Sequence, residues 1–151
     1  MPAEGNRSKK PSGAASPSRR DAPEFFIERS LGGKVIVDVL RATGATVHAH
    51  ADHFAADCPD SEWLREVGRR GWILLTKDAR IRYRPSERAT LLESRVKAFI
   101  LTGKGGTGRD MAQTFVKALP AIHRIASQTN PPFIAHVWRS GDVKLMEPKA
   151  R

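Results

Sequence analysis

Acidic side chains follow three apolar runs of this sequence, each near the point where a predicted strand ends. Glu28 closes the run EFFIE, Asp78 follows WILLT, and the loop after ATVHAH carries Asp57, Asp60 and Glu62. The carboxyl ends of parallel strands meet at one edge of a sheet, so these carboxylates are expected to lie close together. Clustered like charges are unfavourable unless a cation joins them. Because oxygen donors without thiolates suit Mg²⁺ and Mn²⁺, the sequence predicts a divalent cation site.

Basic side chains flank Asp78 in the sequence. Lys77, Arg80 and Arg82 lie within four residues of Asp78, and they are predicted to hold phosphate groups. A bound divalent cation lowers the pKa of a water molecule and stabilises the charge that develops on a phosphate. Carboxylates, a cation and flanking basic groups together predict hydrolysis of a phosphodiester bond.

The elements that must position these side chains alternate between apolar runs and helical patterns. Four apolar runs are predicted strands: EFFIE, ATVHAH, WILLT and VKAFILT. The runs PFIAHVW and DVKLM flank Ser140-Gly141, which predicts a C-terminal β-hairpin. Strands that alternate with helices indicate βαβ units, and hence an α/β fold with a mainly parallel sheet covered on both faces.

The predicted helices have recognisable faces and ends. Asp60 or Ser61 is expected to cap the second helix, which stops at Gly71, and the last helix is expected to kink at Pro120. The first helix is expected to bury one apolar face and to end at Gly44; that face comprises Leu31, Val35, Ile36, Val39 and Leu40.

Length, charge and cysteine content exclude several classes of protein. The chain has 151 residues, a length typical of one domain, and its single cysteine excludes an internal disulfide and a thiolate zinc site. No apolar run reaches the roughly 18 residues of a membrane span, and no secretory signal is present, so a cytoplasmic protein is predicted. The net charge of +10 indicates a polyanionic partner, most commonly nucleic acid.

The N-terminal segment differs in composition from the rest. Residues 1–23 are rich in Pro, Gly, Ser and charge, and they are predicted to form a disordered basic tail. Five basic and two acidic residues give this tail +3 of the total charge. Residues 24–147 are predicted to form the single domain.

Three segments of this domain resemble the PIN-like domain family, which includes the VapC-type ribonuclease toxins. They are FFIERSLGG, PDSEWLREVGRRGWILLTKDARIR and VKAFILT, and the similarity extends over residues 24–146. The most specific part is Asp-x-x-Trp-Leu leading through Gly-Trp to Thr-Lys-Asp. The resemblance implies a three-layer α/β/α sandwich around a mainly parallel sheet, and RNA cleavage with Mg²⁺ or Mn²⁺.

The resemblance also implies roles for individual residues and partners. Glu28, Asp60 and Asp78 match the catalytic metal ligands, while Glu62 and Thr76 match supporting positions. If the resemblance to VapC-type toxins extends to biological role, the chain is the toxin of a toxin–antitoxin pair. Its candidate partners are then RNA, an antitoxin protein and a second copy of itself.

Two departures from the family pattern favour an alternative, a non-catalytic RNA-binding PIN-like module. Glu28 stands where the family more often has Asp, and it is one methylene longer. Ala79 and Arg80 occupy a stretch where many relatives place a further acid.

Two other motifs indicate different chemistry. The segment from His48 to His53 spells H-x-H-x-D-H, which is typical of dinuclear zinc hydrolases. However, that fold needs a longer chain, and only His123 and His136 remain as further histidine ligands. The loop LTGKGGTGRD follows a strand as a phosphate loop does, but Arg109 and Asp110 replace the lysine and hydroxyl that nucleotide binding requires.

Overall fold

The structure, a computed structural model, describes residues 22–103 and 106–148. The predicted tail over residues 1–23 falls almost wholly outside these ranges, so the division into tail and domain stays a prediction. The strands are β1 (Glu24–Ile27), β2 (Thr46–Ala49), β3 (Ile73–Thr76), β4 (Lys97–Leu101), β5 (Phe133–Val137) and β6 (Val143–Glu147). The helices are α1 (Lys34–Ala42), α2 (His50–His53), α3 (Asp60–Arg70), α4 (Pro85–Glu93) and α5 (Gly108–Gln128).

The strands form one six-stranded sheet in the order β2-β1-β3-β4-β5-β6. The first five strands pair in parallel, and β6 returns antiparallel to β5 as the predicted hairpin. Because β1 lies between β2 and β3, the segments that follow these three strands leave the same edge of the sheet side by side.

Alternate strand residues face opposite sides of the sheet and create two buried clusters. On one face, Phe25, Leu75 and Phe99 pack with apolar residues of α1 and α5. On the other face, Phe26, Leu74 and Ile100 pack with residues of α3 and α4, including Trp63. Helices therefore cover both faces, and the predicted three-layer α/β/α sandwich is confirmed.

The face predicted for the first helix is partly wrong. Ile36 and Leu40 are buried as expected, but Val37 is buried in place of Val35, which is 46% exposed. Leu31 lies before the helix in a 3₁₀ turn, Arg29–Leu31. The two glycines that follow, Gly32 and Gly33, have φ of 89° and 102° and delay the start of α1 until Lys34. This later start sets which residues face the sheet.

The predicted kink does not divide the last helix. α5 runs as one element through Pro120. Pro120 itself is exposed, so its ring lies on the solvent side of the helix and does not disturb the packing against the sheet.

One close backbone approach and two ion pairs fix α4 and β6 in the fold. Gly68 of α3 lies against the end of α4, where a Cβ at this glycine would be 2.1 Å from the Ser94 carbonyl oxygen. Glu147 of β6 pairs with Arg82 Nε at 2.6 Å and with Arg88 Nη2 at 2.5 Å. These ion pairs connect the edge strand to the segment that follows β3.

Candidate active site

Glu28 and Asp78 come from neighbouring strands and share one hydroxyl group. Glu28 directly follows β1, and its backbone N–H donates to the Leu75 carbonyl at 3.1 Å. The fully buried Thr76 donates from Oγ1 to Glu28 Oε1 at 2.6 Å and accepts from the Asp78 backbone N–H at 3.0 Å. Ser30 Oγ also donates to Glu28 Oε1. The Thr76 hydroxyl therefore orients both acidic residues.

Asp60 reaches this region from the first turn of α3. The N-cap of α3 is Pro59 and no side chain caps the helix, so the expected capping role of Asp60 or Ser61 is wrong. Asp60 Oδ1 instead accepts a hydrogen bond from Trp63 Nε1 at 3.0 Å. Because Trp63 is buried in the core, this bond holds the Asp60 carboxylate against a rigid neighbour.

Asp78 is oriented by the turn that follows it. Its Oδ1 atom accepts from the backbone N–H of Arg80 at 3.1 Å and from Arg80 Nε at 3.1 Å. Asp78 thus caps the 3₁₀ turn Ala79–Arg82 and pairs with one of the three predicted phosphate contacts.

A cavity of about 400 Å³ brings the three predicted ligands together, and we call it the acid cavity. Its walls carry the acids Glu28, Asp57, Asp60 and Asp78 and the cations Arg29, Arg80 and Arg84. Carboxylates from the segments after β1, β2 and β3 therefore face one concave space, with arginines around them.

The structure does not bring every predicted residue to this cavity. Glu62 is exposed on α3 and is not part of the cavity wall. Lys77 lines a different cavity, on the other side of β3. Arg82 is only 14% exposed and pairs with Glu147, so its charge is engaged elsewhere. Of the predicted phosphate contacts, only Arg80 lines the acid cavity.

The donor set of the acid cavity has the right chemistry for a hard divalent cation. Its ligands are carboxylate oxygens, and one oxygen each of Glu28, Asp60 and Asp78 is held by a protein donor. Such outer hydrogen bonds orient metal ligands in proteins. Within residues 22–103 and 106–148, however, no three His, Cys, Asp or Glu side chains stand close enough to form a finished ligand cage. The carboxylate donors are therefore of the right chemical type for a divalent cation. They line an open cavity, however, and do not converge on one position within it.

His50 lines the acid cavity and was not among the predicted site residues. It is 4% exposed, packs near Phe26 and Trp63, and its Nδ1 atom is buried without a hydrogen-bond partner in the described part of the chain. Burial lowers the pKa of its imidazole, and the nearby Arg29 lowers it further, so His50 is neutral at pH 7. The position of His50 after a strand was the available signal, but the H-x-H-x-D-H pattern assigned it to a different site.

In the H-x-H-x-D-H motif, His48 and His53 contact each other, whereas His50 lies in the wall of the acid cavity. His48 stacks on Trp72 at 3.9 Å between ring centroids, and its Nε2 atom lies 2.8 Å from Glu24 Oε1. His53 Nε2 lies 3.1 Å from His48 Nδ1, whereas His50 belongs to the wall of the acid cavity. Since the part of the chain that is described holds no group of three such ligands, the dinuclear zinc alternative has no structural support.

The glycine loop leads into a well-capped helix. Thr107 Oγ1 accepts from the Asp110 backbone N–H at 3.1 Å, and Asp110 Oδ2 accepts from the Thr107 backbone N–H at 3.0 Å. This hydrogen bond from Thr107 lowers the pKa of Asp110. Asp110 therefore acts as a capping residue of α5, while Lys104 and Gly105 lie outside the described residues.

A mainly parallel sheet with an acid-lined cavity at its carboxyl edge defines an α/β protein of the kind that binds ligands beyond its strand ends. A family model described as "PIN like domain" matches residues 23–103, which is more than half of the chain. The chain therefore belongs to the PIN-like domain family, and the resemblance predicted from the sequence is confirmed.

The comparison with characterised sequences finds a VapC-type relative. The chain is 29% identical over 130 residues to the protein named "Putative ribonuclease VapC45" from Mycobacterium tuberculosis. The aligned region covers 83% of this chain and 94% of that protein. No solved structure matches the chain.

Proposed function

We propose that this protein is a metal-dependent endoribonuclease that hydrolyses RNA phosphodiester bonds at the acid cavity. The observation that carries the proposal is that Glu28, Asp60 and Asp78, from three separate segments, line one cavity at the carboxyl edge of the sheet. The relative named as a ribonuclease supports the same activity.

The roles of the side chains follow from their contacts. Glu28, Asp60 and Asp78 would hold Mg²⁺ or Mn²⁺, which when bound supplies an activated water and neutralises charge on the scissile phosphate. Thr76, Ser30 and Trp63 keep the carboxylates in one orientation through their hydrogen bonds. The exposed Arg29, Arg80 and Arg84 provide cationic groups for the phosphate oxygens at the cavity wall.

The resemblance to VapC-type toxins also supports a proposal about the biological role of the protein. The protein would act in the cytoplasm as the toxin of a toxin–antitoxin pair, with RNA as substrate, a separate antitoxin protein as its inhibitor and a second copy of the chain as a partner in a dimer. Induced expression of the wild-type chain without an antitoxin is expected to arrest growth, and expression of the Asp78→Asn variant is not.

The decisive experiment compares RNA cleavage by the wild-type chain with cleavage by Asp78→Asn. The substitution keeps the size and the acceptor oxygen that binds Arg80 but removes the charge that attracts the cation. We expect cleavage of a labelled RNA in Mn²⁺ to fall by at least about 100-fold, and excess EDTA to abolish the wild-type activity.

Asp38→Asn is the matched control, because Asp38 is an exposed acid on α1 that pairs with Lys34. It is expected to cleave at the wild-type rate. Equal rates for Asp78→Asn and Asp38→Asn would contradict the proposal.

The arginines in the wall also favour a second candidate function, a non-catalytic RNA-binding module. Arg80 already balances the charge of Asp78 at 3.1 Å. RNA binding that persists in the wild-type chain without any metal-dependent cleavage would favour this alternative.

A further inference from the structure

A second cavity lies at the carboxyl ends of β3, β4 and β5, and we call it the basic cavity. It has a volume of about 310 Å³. Its cations come from three different elements: Lys77 from the segment after β3, Lys117 from α5 and Arg139 from the β5–β6 turn. Convergence of three cations on one concave space costs electrostatic energy unless an anion enters it.

The acid in the wall of the basic cavity does not offset this charge fully. Among the described ionisable residues that line it, three are cationic and one, Asp110, is anionic. Asp110 is engaged with Thr107 at the start of α5, where its charge complements the helix dipole, and the charge of Arg139 also lowers the pKa of Asp110. The charge that remains without an opposing acid in this wall is therefore that of the two lysines. Lys77 and Lys117 are both exposed, so an incoming ligand can reach their ammonium groups.

Adjacent residues of the chain line the basic cavity and the acid cavity. Lys77 lines the basic cavity and its neighbour Asp78 lines the acid cavity. The Lys77 backbone N–H also donates to Ser30 Oγ at 3.2 Å, and Ser30 lines the acid cavity. Consecutive Cα atoms are about 3.8 Å apart, so the two cavities adjoin the same Lys77–Asp78 peptide.

We propose that the basic cavity is a subsite for a backbone phosphate of single-stranded RNA, on the nucleotide adjacent to the scissile bond. The inference rests on the proposed function, because the scissile phosphate is placed at the acid cavity. Lysine acts as a point charge toward phosphate and does not select a base. The subsite therefore strengthens binding of RNA of any sequence and registers the strand so that one phosphodiester faces the acids.

The test measures RNA affinity without cleavage. The full-length chain is titrated in EDTA against a labelled RNA of eight nucleotides, by fluorescence anisotropy at several salt concentrations. Lys117→Gln and Lys77→Gln are each expected to lower the affinity about three- to ten-fold. Each is also expected to reduce the slope of log affinity against log salt by about 0.7, the value for one phosphate contact on a single strand.

Lys97→Gln is the matched control. It removes the same charge at the first residue of β4, at the opposite end of the strand from the basic cavity, and is expected to change neither quantity. Uridine monophosphate is the second probe, and it is expected to bind far more weakly than the eight-nucleotide RNA.

Three results would overturn the subsite. They are equal behaviour of the two cavity variants and Lys97→Gln, no measurable RNA binding by the wild-type chain, or equal affinity for uridine monophosphate and the longer RNA. Lysine-dependent RNA binding without cleavage would retain the subsite and overturn the proposed nuclease. Metal-dependent cleavage that both cavity variants perform with unchanged KM would do the reverse.

Discussion

The smallest unit of the candidate site is the Thr76 hydroxyl between the Glu28 carboxylate and the Asp78 backbone. It donates to Glu28 Oε1 and accepts from the Asp78 N–H, so one side chain positions the carboxylate of the first acid and the backbone of the second. This contact also accommodates the extra methylene of Glu28, because the hydrogen bond fixes where its longer side chain ends.

Replacement of Thr76 by Val tests this role at the residue scale. The buried hydroxyl is lost while the branched shape is kept, and we expect RNA cleavage to fall about 10- to 100-fold. The free energy of unfolding is expected to fall by about 1–2 kcal/mol, because the Asp78 N–H loses its partner. Cleavage of labelled RNA and urea unfolding measure the two effects.

Thr90→Val provides the comparison for this variant. Thr90 is also buried, at 7% exposure, and its hydroxyl donates to the Ser86 carbonyl at 3.0 Å within α4. It is expected to unfold more easily while cleaving RNA normally. If both threonine variants retain full cleavage, Thr76 has no positioning role.

At the scale of elements, the close approach of α3 and α4 determines what their sequences tolerate. Gly68 is an interior helix residue without a positive φ, so backbone conformation alone does not require glycine there. Its neighbour across the interface does, because an added Cβ would overlap the Ser94 carbonyl. The contact keeps α3, and with it Asp60 and Trp63, at a fixed distance from α4.

Gly68→Ala is therefore expected to destabilise the protein by about 2–3 kcal/mol. An interior helix glycine ordinarily gains about 1 kcal/mol on this change, so the expected sign is the reverse of the helix propensity. Urea unfolding of Gly68→Ala and of its control, Gly108→Ala, measures the difference.

Gly108→Ala is the control, because a Cβ there would lie 3.6 Å from Val35 Cβ, an ordinary contact. It is expected to stay within about 0.5 kcal/mol of the wild type. Equal stability of the two alanine variants would show that α3 and α4 can move apart without cost.

The connection between β6 and the segment after β3 predicts how stability depends on pH. The hydrogen bond from Arg88, together with that from Arg82, lowers the pKa of Glu147 in the folded chain. A lowered carboxyl pKa contributes stability that is complete above the unfolded value of about 4.3 and is lost as the pH falls through the folded value. Glu147→Gln is expected to cost about 2 kcal/mol at pH 7.

The difference between Glu147→Gln and the wild type should shrink as the pH falls below about 4. Urea unfolding at pH 7, 5 and 3 follows this change, with the exposed Glu93→Gln as control. A stability difference that stays constant over this range would contradict the ionic origin of the contact.

The sequence predicts the positions of elements better than the contacts between distant segments. Glu28 and Asp78 follow short apolar strands, and period and turn signals alone place them at one edge of the sheet. The engagement of Arg82 with Glu147 joins residues 65 positions apart, and no local pattern reports such a pair. Asp60 shows a related limit of sequence reasoning. Aspartate is a favourable N-cap residue, but the Asp60 carboxylate accepts a hydrogen bond from Trp63 instead. His50 was missed because its motif suggested another function.

At the scale of the whole molecule, a strongly basic chain has a cavity with several carboxylates in its wall. The chain carries +10 overall, yet four carboxylates line the acid cavity. None of the helices in the described ranges is long and apolar enough to cross a membrane. A polyanion is the partner that the net charge favours.

A chain that begins at residue 22 tests whether the tail and the domain are independent. β1 begins at Glu24 and makes all its sheet pairings from there, so we expect the thermal midpoint to change by less than about 2 °C. Removal of a net +3 is expected to make RNA binding less dependent on salt. Calorimetry and anisotropy measure the two effects, and a clearly lower midpoint would mean that the removed residues stabilise the fold.

The carboxyl edge of the sheet is electrically uneven along its length. Among the described residues, four carboxylates face three arginines in the half beyond β2, β1 and β3, and two lysines and an arginine face one carboxylate in the half beyond β3, β4 and β5. A nucleic acid that spans both halves is repelled by the first and attracted by the second. Neutralisation of the first half by divalent ions removes the repulsion, so by thermodynamic reciprocity ion and nucleic acid raise each other's affinity by the same factor. We therefore expect RNA to bind measurably without the proposed divalent ion and more tightly in its presence.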